Sequence, residues 1–464
     1  MTIHLQNRWT YENGVLKYYG MRRKPHTLKN TVPLGRRQAR VVAALPKVLD
    51  AKETKACREL LEQGILVAEH ALKTTPRSFE DATYCTQCVA NDFMIPGLEW
   101  SDSGLCPMCD HAEETKHFKS VLPVKNTFEK AKKSRFDVAV FYTGGKDSTY
   151  LLHYLANVSG LRVLALTWEI PFMSDSARQS LENAKRRFRN VEFLHRKMCD
   201  ADLKPFYRAL HARAGNTCAC PSLAYVLFYP TLVNERVPYF VAGNEPAQLL
   251  NLYFNRFAPK IAYNEKAHRL LVVLTNVLRI ATLRKPLKKG QVPTLLTMKQ
   301  LAYGDPLLKR LSSIRQPLLS DIIAAFDDIP NIKEPLRRAL RVSNWSGRVP
   351  AFVQIDFNDI SGGRYDWKTV KETLVEEAGW VAPAATDKGL HTSCMIEKCK
   401  DHTQFVAFTE MKSQMIPFSA IEMAVASRAE QLSKEEAIAE MKRHLGFSLQ
   451  REATCAIMER YLQD

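Results

Sequence analysis

A chain of 464 residues is too long for one ordinary hydrophobic core, so we expect two or three folding units. Its 25% charged and 46% hydrophobic residues are typical of globular proteins, and its longest apolar runs, such as 270–278, are far shorter than the roughly 20 residues that span a bilayer. The lack of an apolar signal sequence predicts a cytoplasmic protein with no membrane partner, and the net charge of +17 favours polyanionic partners such as RNA or nucleotides.

Residues 1–80 are interpreted as a basic N-terminal extension with one predicted amphipathic helix over 39–72. A segment with four cysteines follows at 81–115. Its two Cys-x-x-Cys pairs, Cys85 with Cys88 and Cys106 with Cys109, are 17 residues apart, a spacing typical of a four-thiolate zinc site. Four protein ligands leave no open coordination position, so we expect a structural Zn2+ ion that takes no part in a reaction.

From residue 130 to residue 250, short apolar segments alternate with helical ones. Strands are predicted at 137–143, 162–168, 191–197 and 237–243, and helices at 148–158, 174–188 and 222–235. This alternation predicts an α/β domain, a doubly wound parallel sheet with helices on both faces. Residues 251–464 are predicted to be mostly helical and to contribute to a substrate site. A capping box from Ser433 to Glu436 precedes a long final helix.

The first predicted strand ends in a glycine-rich turn, Thr143-Gly144-Gly145-Lys146-Asp147-Ser148. Such a turn lets backbone N–H groups approach phosphate oxygens, and the helix that follows directs the positive end of its dipole at them. The order of residues departs from the Walker pattern, because the glycines adjoin and Lys-Asp-Ser follows directly. We expect Lys146 and Asp147 to lie in a surface loop, where their replacement lowers turnover more than stability.

This turn resembles the SGGKDS motif of the PP-loop (N-type) ATP pyrophosphatases, in the adenine nucleotide alpha hydrolase-like superfamily, with Thr143 in place of the first serine. The resemblance covers residues 135–250 and implies a Rossmann-like fold. It also implies an enzyme in which ATP adenylates a carbonyl oxygen, pyrophosphate leaves, and a nitrogen or sulfur nucleophile displaces AMP.

The resemblance implies a role for each residue of the turn. Gly144, Gly145 and Ser148 would hold the departing pyrophosphate, and Lys146 would neutralise charge on the phosphates. Asp147 would orient the loop or a Mg2+ ion. Adenine would lie at the strand edges near Tyr142, Thr167 and Trp168.

Members of this group carry a second phosphate-side motif after a later strand, commonly Gly-His. The equivalent here is Gly243-Asn244-Glu245. Asn244 cannot act as an acid at neutral pH, whereas Glu245 can hold Mg2+ or close a polar network. The alternative is an ordinary turn at the end of a strand. SGGR at 361–364 lacks the Lys-Asp-Ser continuation and is interpreted as a turn.

A four-cysteine segment directly before the turn is similar to that of some tRNA-thiolating enzymes and of N-acetyl-sugar amidotransferases. In the tRNA-thiolating enzymes a cysteine pair and a third, downstream cysteine bind a 4Fe-4S cluster. By this resemblance Cys218, Cys220 and Cys394 are candidate cluster ligands, and Cys218 and Cys220 are candidate catalytic residues. The match is imperfect, because the pair here is Cys-x-Cys and not Cys-x-x-Cys.

Other interpretations of these cysteines stay open. Cys199 or Cys399 can replace Cys394 as the third ligand, and the pair can be partly buried thiols that bind nothing. A second zinc site is also compatible with the sequence, with ligands at His391, Cys394, Cys399 and His402. Cys57 and Cys455 lie in amphipathic helical stretches and are interpreted as core residues.

The predicted function is that of a sulfurtransferase. It would adenylate a carbonyl or amide oxygen of a nucleobase-like small molecule or a tRNA base and replace that oxygen with sulfur. The alternative is an amidotransferase of the N-acetyl-sugar type that receives ammonia from a partner glutaminase. The expected cofactors are ATP, Mg2+, Zn2+ and a 4Fe-4S cluster. The expected partner is a sulfur-donor or ammonia-donor protein, and a homodimer is compatible with the sequence.

Overall fold

The computed structural model describes residues 1–23, 30–115, 127–214, 220–255, 264–304, 319–382, 394–449 and 451–463. The chain divides into two compact units, one of residues 1–115 with 403–446 and the other of residues 116–402 with 447–464. The division after residue 115 coincides with the expected end of the four-cysteine segment, but the two units are not divided at residue 80 or residue 250. The expected C-terminal region is shared between the two units, and the expected N-terminal extension belongs to the same unit as the four cysteines.

The first stretch of the chain contains more strands than the sequence suggested. Its elements are β1 (Thr2–Leu5), β2 (Trp9–Glu12), β3 (Val15–Tyr18), β4 (Thr31–Pro33), α1 (Arg36–Ala43), β5 (Lys47–Val48), α2 (Ala51–Ala56), α3 (Arg58–Glu62), β6 (Leu66–Ala68), α4 (Pro107–Asp110) and α5 (Ala112–Thr115). They form two antiparallel sheets, in the orders β5-β1-β6 and β2-β3-β4.

The prediction of one helix over 39–72 is wrong. Helix α1 ends at Ala43, shortly before Pro46, which has no N–H to continue a helical hydrogen-bond ladder. A new helix, α2, starts where the Asp50 carboxylate accepts a hydrogen bond from the Glu53 N–H. The amphipathic pattern therefore reflects three short helices and two short strands, of which α1, α3 and β6 contribute buried side chains to one apolar core.

The remaining elements are mostly strands and helices in alternation, followed by helices. They are β7 (Val138–Phe141), α6 (Lys146–His153), β8 (Val163–Glu169), α7 (Asp175–Arg187), β9 (Val191–Lys197), α8 (Asp200–Ala214), α9 (Cys220–Asn234), β10 (Tyr239–Asn244), α10 (Pro246–Phe254), α11 (Glu265–Ala281), α12 (Gln291–Tyr303), α13 (Leu319–Ala325), α14 (Pro330–Ser346), β11 (Ala351–Asp356), α15 (Phe357–Ile360), α16 (Trp367–Ala378), α17 (Glu397–Thr409), α18 (Phe418–Arg428), α19 (Lys434–Leu449) and α20 (Arg451–Gln463). Among the described residues, no helix combines the length and the apolar content needed to cross a bilayer.

The four strands predicted between residues 130 and 250 are confirmed, and so are the three helices between them. The predicted capping box is also confirmed, because the Glu436 carboxylate accepts from the Ser433 N–H at 2.8 Å and the Ser433 hydroxyl accepts from the Glu436 N–H at 3.1 Å. The final helical region is two helices, α19 and α20, and not one.

The larger unit is built on a five-stranded parallel sheet in the order β11-β10-β7-β8-β9. The chain passes from β7 outwards through β8 to β9, and then returns to the other side of β7 for β10 and β11. Open α/β sheets bind ligands outside the carboxyl ends of the strands at such a reversal, which here lies at the ends of β7 and β10. Strand β11 was not foreseen, and it lies beyond the expected domain boundary at residue 250.

Alternate residues of the central strands face two separate apolar cores. Ala139 and Leu164 belong to the core that includes α9, α12 and α14, whereas Val138 and Val163 belong to the core that includes α6 and α16. The sheet is therefore covered by helices on both faces, as the prediction of an α/β fold requires.

Asp137 fixes the start of β7. Its buried carboxylate accepts hydrogen bonds from the Ala131 N–H at 2.6 Å and the Arg162 N–H at 2.9 Å, and pairs with the Arg162 guanidinium at 2.6 Å. Burial alone would raise the pKa of Asp137, but hydrogen bonds from Arg162 and Ala131 outweigh it and lower that pKa. The carboxylate is therefore held in its charged form.

We expect Asp137→Asn to lower the free energy of unfolding by about 1.5–3 kcal/mol at neutral pH, because it removes charge-assisted hydrogen bonds from a buried site. Since the folded pKa is lowered, this contribution is present above the unfolded pKa and is lost as pH falls through the folded pKa. In urea titrations, the difference in free energy of unfolding between the unchanged protein and Asp137→Asn should become smaller below about pH 4. Glu192→Gln, in an exposed pair with Arg135, is the control and should change stability by less than about 0.5 kcal/mol.

The smaller unit has a core of its own. The Arg22 guanidinium lies 5.1 Å from the Trp9 ring centroid and 5.4 Å from that of Tyr18, and its Nε is 3.0 Å from the Glu99 carboxylate. Segment 403–446 joins this unit through Arg8, which donates to the carbonyl oxygens of Phe408 at 2.6 Å and Thr409 at 2.7 Å.

Candidate functional site

The turn between β7 and α6 has a backbone that demands glycine. Gly144 has φ of +74°, in the left-handed region, and a Cβ atom there would lie 2.3 Å from the Ala177 carbonyl oxygen. Gly145 is the N-cap of α6. The chain therefore passes close to α7 at Gly144 and then enters α6. The first N–H groups of α6 have no acceptor within the helix.

We expect Gly144→Ala to disrupt this turn, because the added methyl group meets backbone that cannot move independently. Gly160→Ala is the matched control, since Gly160 also has a positive φ, +60°, but a Cβ there meets nothing within 4 Å. Gly160→Ala should cost about 1 kcal/mol of stability. Gly144→Ala should cost more than Gly160→Ala, measured by urea titration of both variants. Equal behaviour of the two variants would contradict this account.

Two hydroxyl groups lie beside the first turn of α6. Thr143 Oγ1 is 3.1 Å from Ser148 Oγ, and Ser148 Oγ accepts from the Thr143 N–H at 3.2 Å. Gly145 N–H points at Thr143 Oγ1 at 3.4 Å. The hydroxyls, the backbone N–H groups and the positive end of the helix dipole are all suited to an anion such as a phosphate.

Lys146 is buried, which corrects the expectation that it lies in a surface loop. Only 8% of the residue is exposed, and its Nζ lies 2.8 Å from Asp147 Oδ1 and 2.9 Å from Glu245 Oε2. It also donates to the Tyr365 hydroxyl. Burial alone would lower the pKa of Lys146, but Asp147 and Glu245 outweigh it and raise that pKa well above its usual value. The ammonium therefore stays charged.

A chain of amide groups extends this cluster from α6 to β11. Gln248 donates to Asp147 Oδ2 at 2.6 Å, Asn244 donates to Gln248 Oε1 at 3.1 Å, and Gln354 donates to Asn244 Oδ1 at 2.9 Å. The residues after β7 and those after β10, which the sequence pairs as two phosphate-side motifs, thus meet at the reversal of the strand order. Here Glu245 is the N-cap of α10 and part of this polar network.

Three residues of the site were missed in the sequence. Tyr365 follows the turn at 361–363, and burial raises its pKa well above the usual value. Gln248 lies in the first turn of α10, and Trp380 Nε1 donates to the Gly144 carbonyl oxygen at 3.2 Å. Tyr365 and Trp380 come from more than 200 residues downstream of the turn. No local motif marks them, so only the fold could reveal them.

The residues expected near adenine lie in the interior. Tyr142 and Thr167 are fully buried, and Trp168 is 7% exposed. Tyr142 donates from its hydroxyl to the Ser180 carbonyl oxygen at 3.3 Å, and Thr167 donates to the Tyr142 carbonyl oxygen at 3.0 Å. A base cannot stack on the Tyr142 ring as it lies here. Gly243, also assigned to this site, is the penultimate residue of β10.

The four predicted zinc ligands come together in the smaller unit. Cys85, Cys88, Cys106 and Cys109 are all buried, and their Sγ atoms lie within 4.8 Å of one another. Cys88 Sγ is 3.7 Å from Cys106 Sγ. A tetrahedron with Zn–S bonds of about 2.3 Å has edges of about 3.8 Å, so this cluster fits a metal ion such as zinc.

Two cationic side chains bind the backbone of the four-cysteine segment. Lys434 donates to the Cys85 carbonyl oxygen at 3.2 Å, and Arg428 donates to the Met108 carbonyl oxygen. Four thiolates around a divalent ion carry a net negative charge, so cations beside the cluster are favourable there. Lys434 and Arg428 come from segment 403–446, and their hydrogen bonds join that segment to the four-cysteine segment.

The other cysteines are placed less completely. Cys218 and His391 lie outside the described residues, and Cys220 is the first residue of α9. Cys399 Sγ lies 2.8 Å from Cys455 Sγ, and both residues are buried, as is Cys57. The thiol of Cys199 donates to Asp202 at 3.2 Å. Within the described part of the chain, Cys85, Cys88, Cys106 and Cys109 are the one group of His, Cys, Asp and Glu suited to a metal. The expected cluster site and the alternative second zinc site each include a ligand outside the described residues, so both stay predictions.

Cys394 lies beside the carboxyl end of the sheet. It forms an isolated antiparallel bridge with Met173, just beyond the end of β8. Because α9 runs antiparallel to the strands it connects, its first residue, Cys220, is at the same edge of the sheet. The backbone therefore places both cysteines on the side of the sheet that carries the glycine turn.

Neither a protein-family model nor a curated protein matches this sequence, so function has to be inferred from the residues and their geometry.

Proposed function

We propose that this protein is an ATP-dependent transferase that activates a carbonyl or amide oxygen by adenylation. One observation carries the proposal: the glycine turn after β7 and Glu245 after β10 meet around Lys146, at the point where the strand order reverses. A helix N-terminus, two hydroxyl groups and a charged lysine at such a point are suited to a nucleoside triphosphate.

In the proposed reaction the acceptor oxygen attacks the α-phosphorus of ATP, and the bond to the bridging oxygen of pyrophosphate breaks. The N–H groups of the turn, with Thr143 and Ser148, hold the departing pyrophosphate. Lys146 balances the charge that builds on it. Asp147 and Glu245 hold Lys146 in place, and Mg2+, when bound with ATP, would neutralise phosphate charge beside the same carboxylates.

In a second step a nucleophile adds to the activated carbon, and AMP leaves with the original acceptor oxygen. We propose sulfur as this nucleophile, supported by the position of Cys220 and Cys394 at the carboxyl edge of the sheet. The acceptor we propose is a nucleobase-like small molecule or a tRNA base, since the net charge of +17 favours anionic partners. An iron–sulfur cluster is not needed for the adenylation step.

The test is exchange of labelled pyrophosphate into ATP with a panel of nucleobases, tRNAs and acetamido sugars. Exchange that depends on one acceptor class supports adenylation and identifies the acceptor. No exchange with any class, for a folded and ATP-binding protein, would rule adenylation out for these acceptors. Cys220→Ser should keep exchange and abolish product if sulfur passes through this residue. Unchanged product would instead favour transfer of ammonia to the activated carbon.

A further inference from the structure

Helix α11 turns its apolar face away from the protein. The side chains of this face are 52–68% exposed: Leu270, Val273, Leu274, Val277, Leu278 and Ile280. Their spacing, at three and four residues, places them in one stripe along the helix. A helix on a protein surface normally directs such a stripe at the core, so α11 has the opposite orientation.

The opposite face of α11 packs Leu271 and Val272 against the core of the larger unit and adds polar contacts to the chain around it. Arg279 is 4% exposed and donates to the Lys285 carbonyl oxygen at 2.7 Å and the Asn344 carbonyl oxygen at 2.9 Å. Asn276 exchanges hydrogen bonds with the backbone of Leu287, at 2.9 Å and 2.8 Å. These directed contacts fix the rotation of the helix, so the outward position of its leucines and valines is specified by the sequence.

The apolar stripe continues onto α14. Trp345 is 60% exposed, and its ring centroid lies 5.1 Å from the Arg284 guanidinium. Arg279 ties the end of α11 to Asn344, so Trp345 lies next to the end of the stripe. A tryptophan beside an arginine at the border of an apolar surface is typical of side chains at the boundary between lipid tails and headgroups.

The charge around this surface is predominantly positive, and its acidic residue on α11, Glu265, pairs with Arg269 at 3.6 Å. From Lys266 to Lys289 the chain has four lysines, three arginines and no acidic residue. Lys266, Arg269, Lys285, Lys288 and Lys289 are exposed. If two copies of the chain paired through this face, these basic groups would be brought together and would repel each other. An anionic surface would attract them.

We propose that the exposed face of α11, with Trp345, binds the surface of an anionic lipid bilayer as an in-plane helix. Its leucines and valines would enter the boundary between headgroups and acyl chains, and the lysines and arginines would lie among the lipid phosphates. A membrane partner was not expected from the sequence, because a helix that lies in the membrane plane does not need the long, uninterrupted apolar segment that spans a bilayer. The proposal is independent of the adenylation chemistry.

The test is co-sedimentation of the full chain with phosphatidylcholine vesicles, with and without phosphatidylserine. We expect binding to the phosphatidylserine vesicles that weakens as salt is added. Leu274→Ser/Val277→Ser should reduce binding about tenfold or more without lowering the melting temperature, because both side chains are exposed. Val375→Ser, at a 49% exposed valine on α16, is the matched control and should bind like the unchanged protein.

A second measurement, fluorescence quenching, reports how deeply Trp345 enters the bilayer. Brominated lipids should quench part of the tryptophan fluorescence, and Trp345→Phe should remove that part. The proposal is overturned if the double variant binds vesicles as well as the control, or if phosphatidylcholine alone binds equally. It is also overturned if the protein ignores vesicles and sediments as a dimer that the double variant dissociates, since the face would then join two copies.

Discussion

Replacing Lys146 by alanine is expected to abolish acceptor-dependent pyrophosphate exchange, by at least about a hundredfold, and also to destabilise the larger unit. The loss of exchange follows from removing the charge that balances the phosphates. The loss of stability follows from burial: Asp147 and Glu245 would face each other without the ammonium between them. Removing one partner of a buried ion pair costs about 3–5 kcal/mol.

A double variant separates the two effects. Lys146→Met/Glu245→Gln removes one positive and one negative charge, so the cluster keeps its net charge, and we expect it to recover much of the stability but no exchange. Because the pKa of Lys146 is raised, its contribution to stability is complete below the unfolded pKa and is lost only as pH rises through the folded pKa. The loss in free energy of unfolding caused by Lys146→Ala should therefore be constant between about pH 6 and pH 9. A double variant with normal exchange would contradict the proposed role.

Removal of the metal is expected to unfold the smaller unit. Structural zinc sites contribute about 10–16 kcal/mol in small domains, more than a unit of this size can lose. Cys106→Ser should therefore abolish binding of one zinc ion per chain, measured by atomic absorption. It should also expose the segments around 85–109 to proteolysis.

Cys57→Ala is the control for this prediction. Cys57 is as buried as the four ligands and lies in the same unit, but it is not part of the cluster. It should keep the zinc ion and lose only the stability of one small core side chain. If Cys106→Ser retained the zinc ion, or if a chelator left the unit folded, a structural role for the metal would be excluded.

Local patterns sufficed for four of the five strands of the sheet, β7 to β10, and for the glycine turn after β7. Strands β7, β8 and β10 have apolar runs because they lie inside the sheet, whereas the edge strand β9 mixes apolar and charged residues. Glycine marks the turn after β7 because only glycine fits beneath Ala177. The four cysteines were equally clear, since metal geometry fixes their spacing.

What the sequence hid depends on contacts between distant segments. Lys146 was expected at the surface because the glycine turn was interpreted as a surface loop, and its burial becomes visible only when Glu245 and Tyr365 are brought beside it. Strand β11 has a short apolar run among helices, and its partner β10 is more than 100 residues away. The strands near the N-terminus were missed because their sheets are small and their apolar residues also fit helical spacing.

The smaller unit is made of two segments distant in sequence, residues 1–115 and 403–446. This arrangement sets the order in which the protein can fold during its synthesis on the ribosome. Its zinc ligands emerge early, but Arg428 and Lys434 are translated only after most of the other unit. Nascent domains normally fold from the N-terminus onwards. Segment 1–115 therefore cannot complete its unit, and its thiols stay uncovered, until segment 403–446 has been synthesised. Early capture of zinc would protect those thiols from oxidation during that interval.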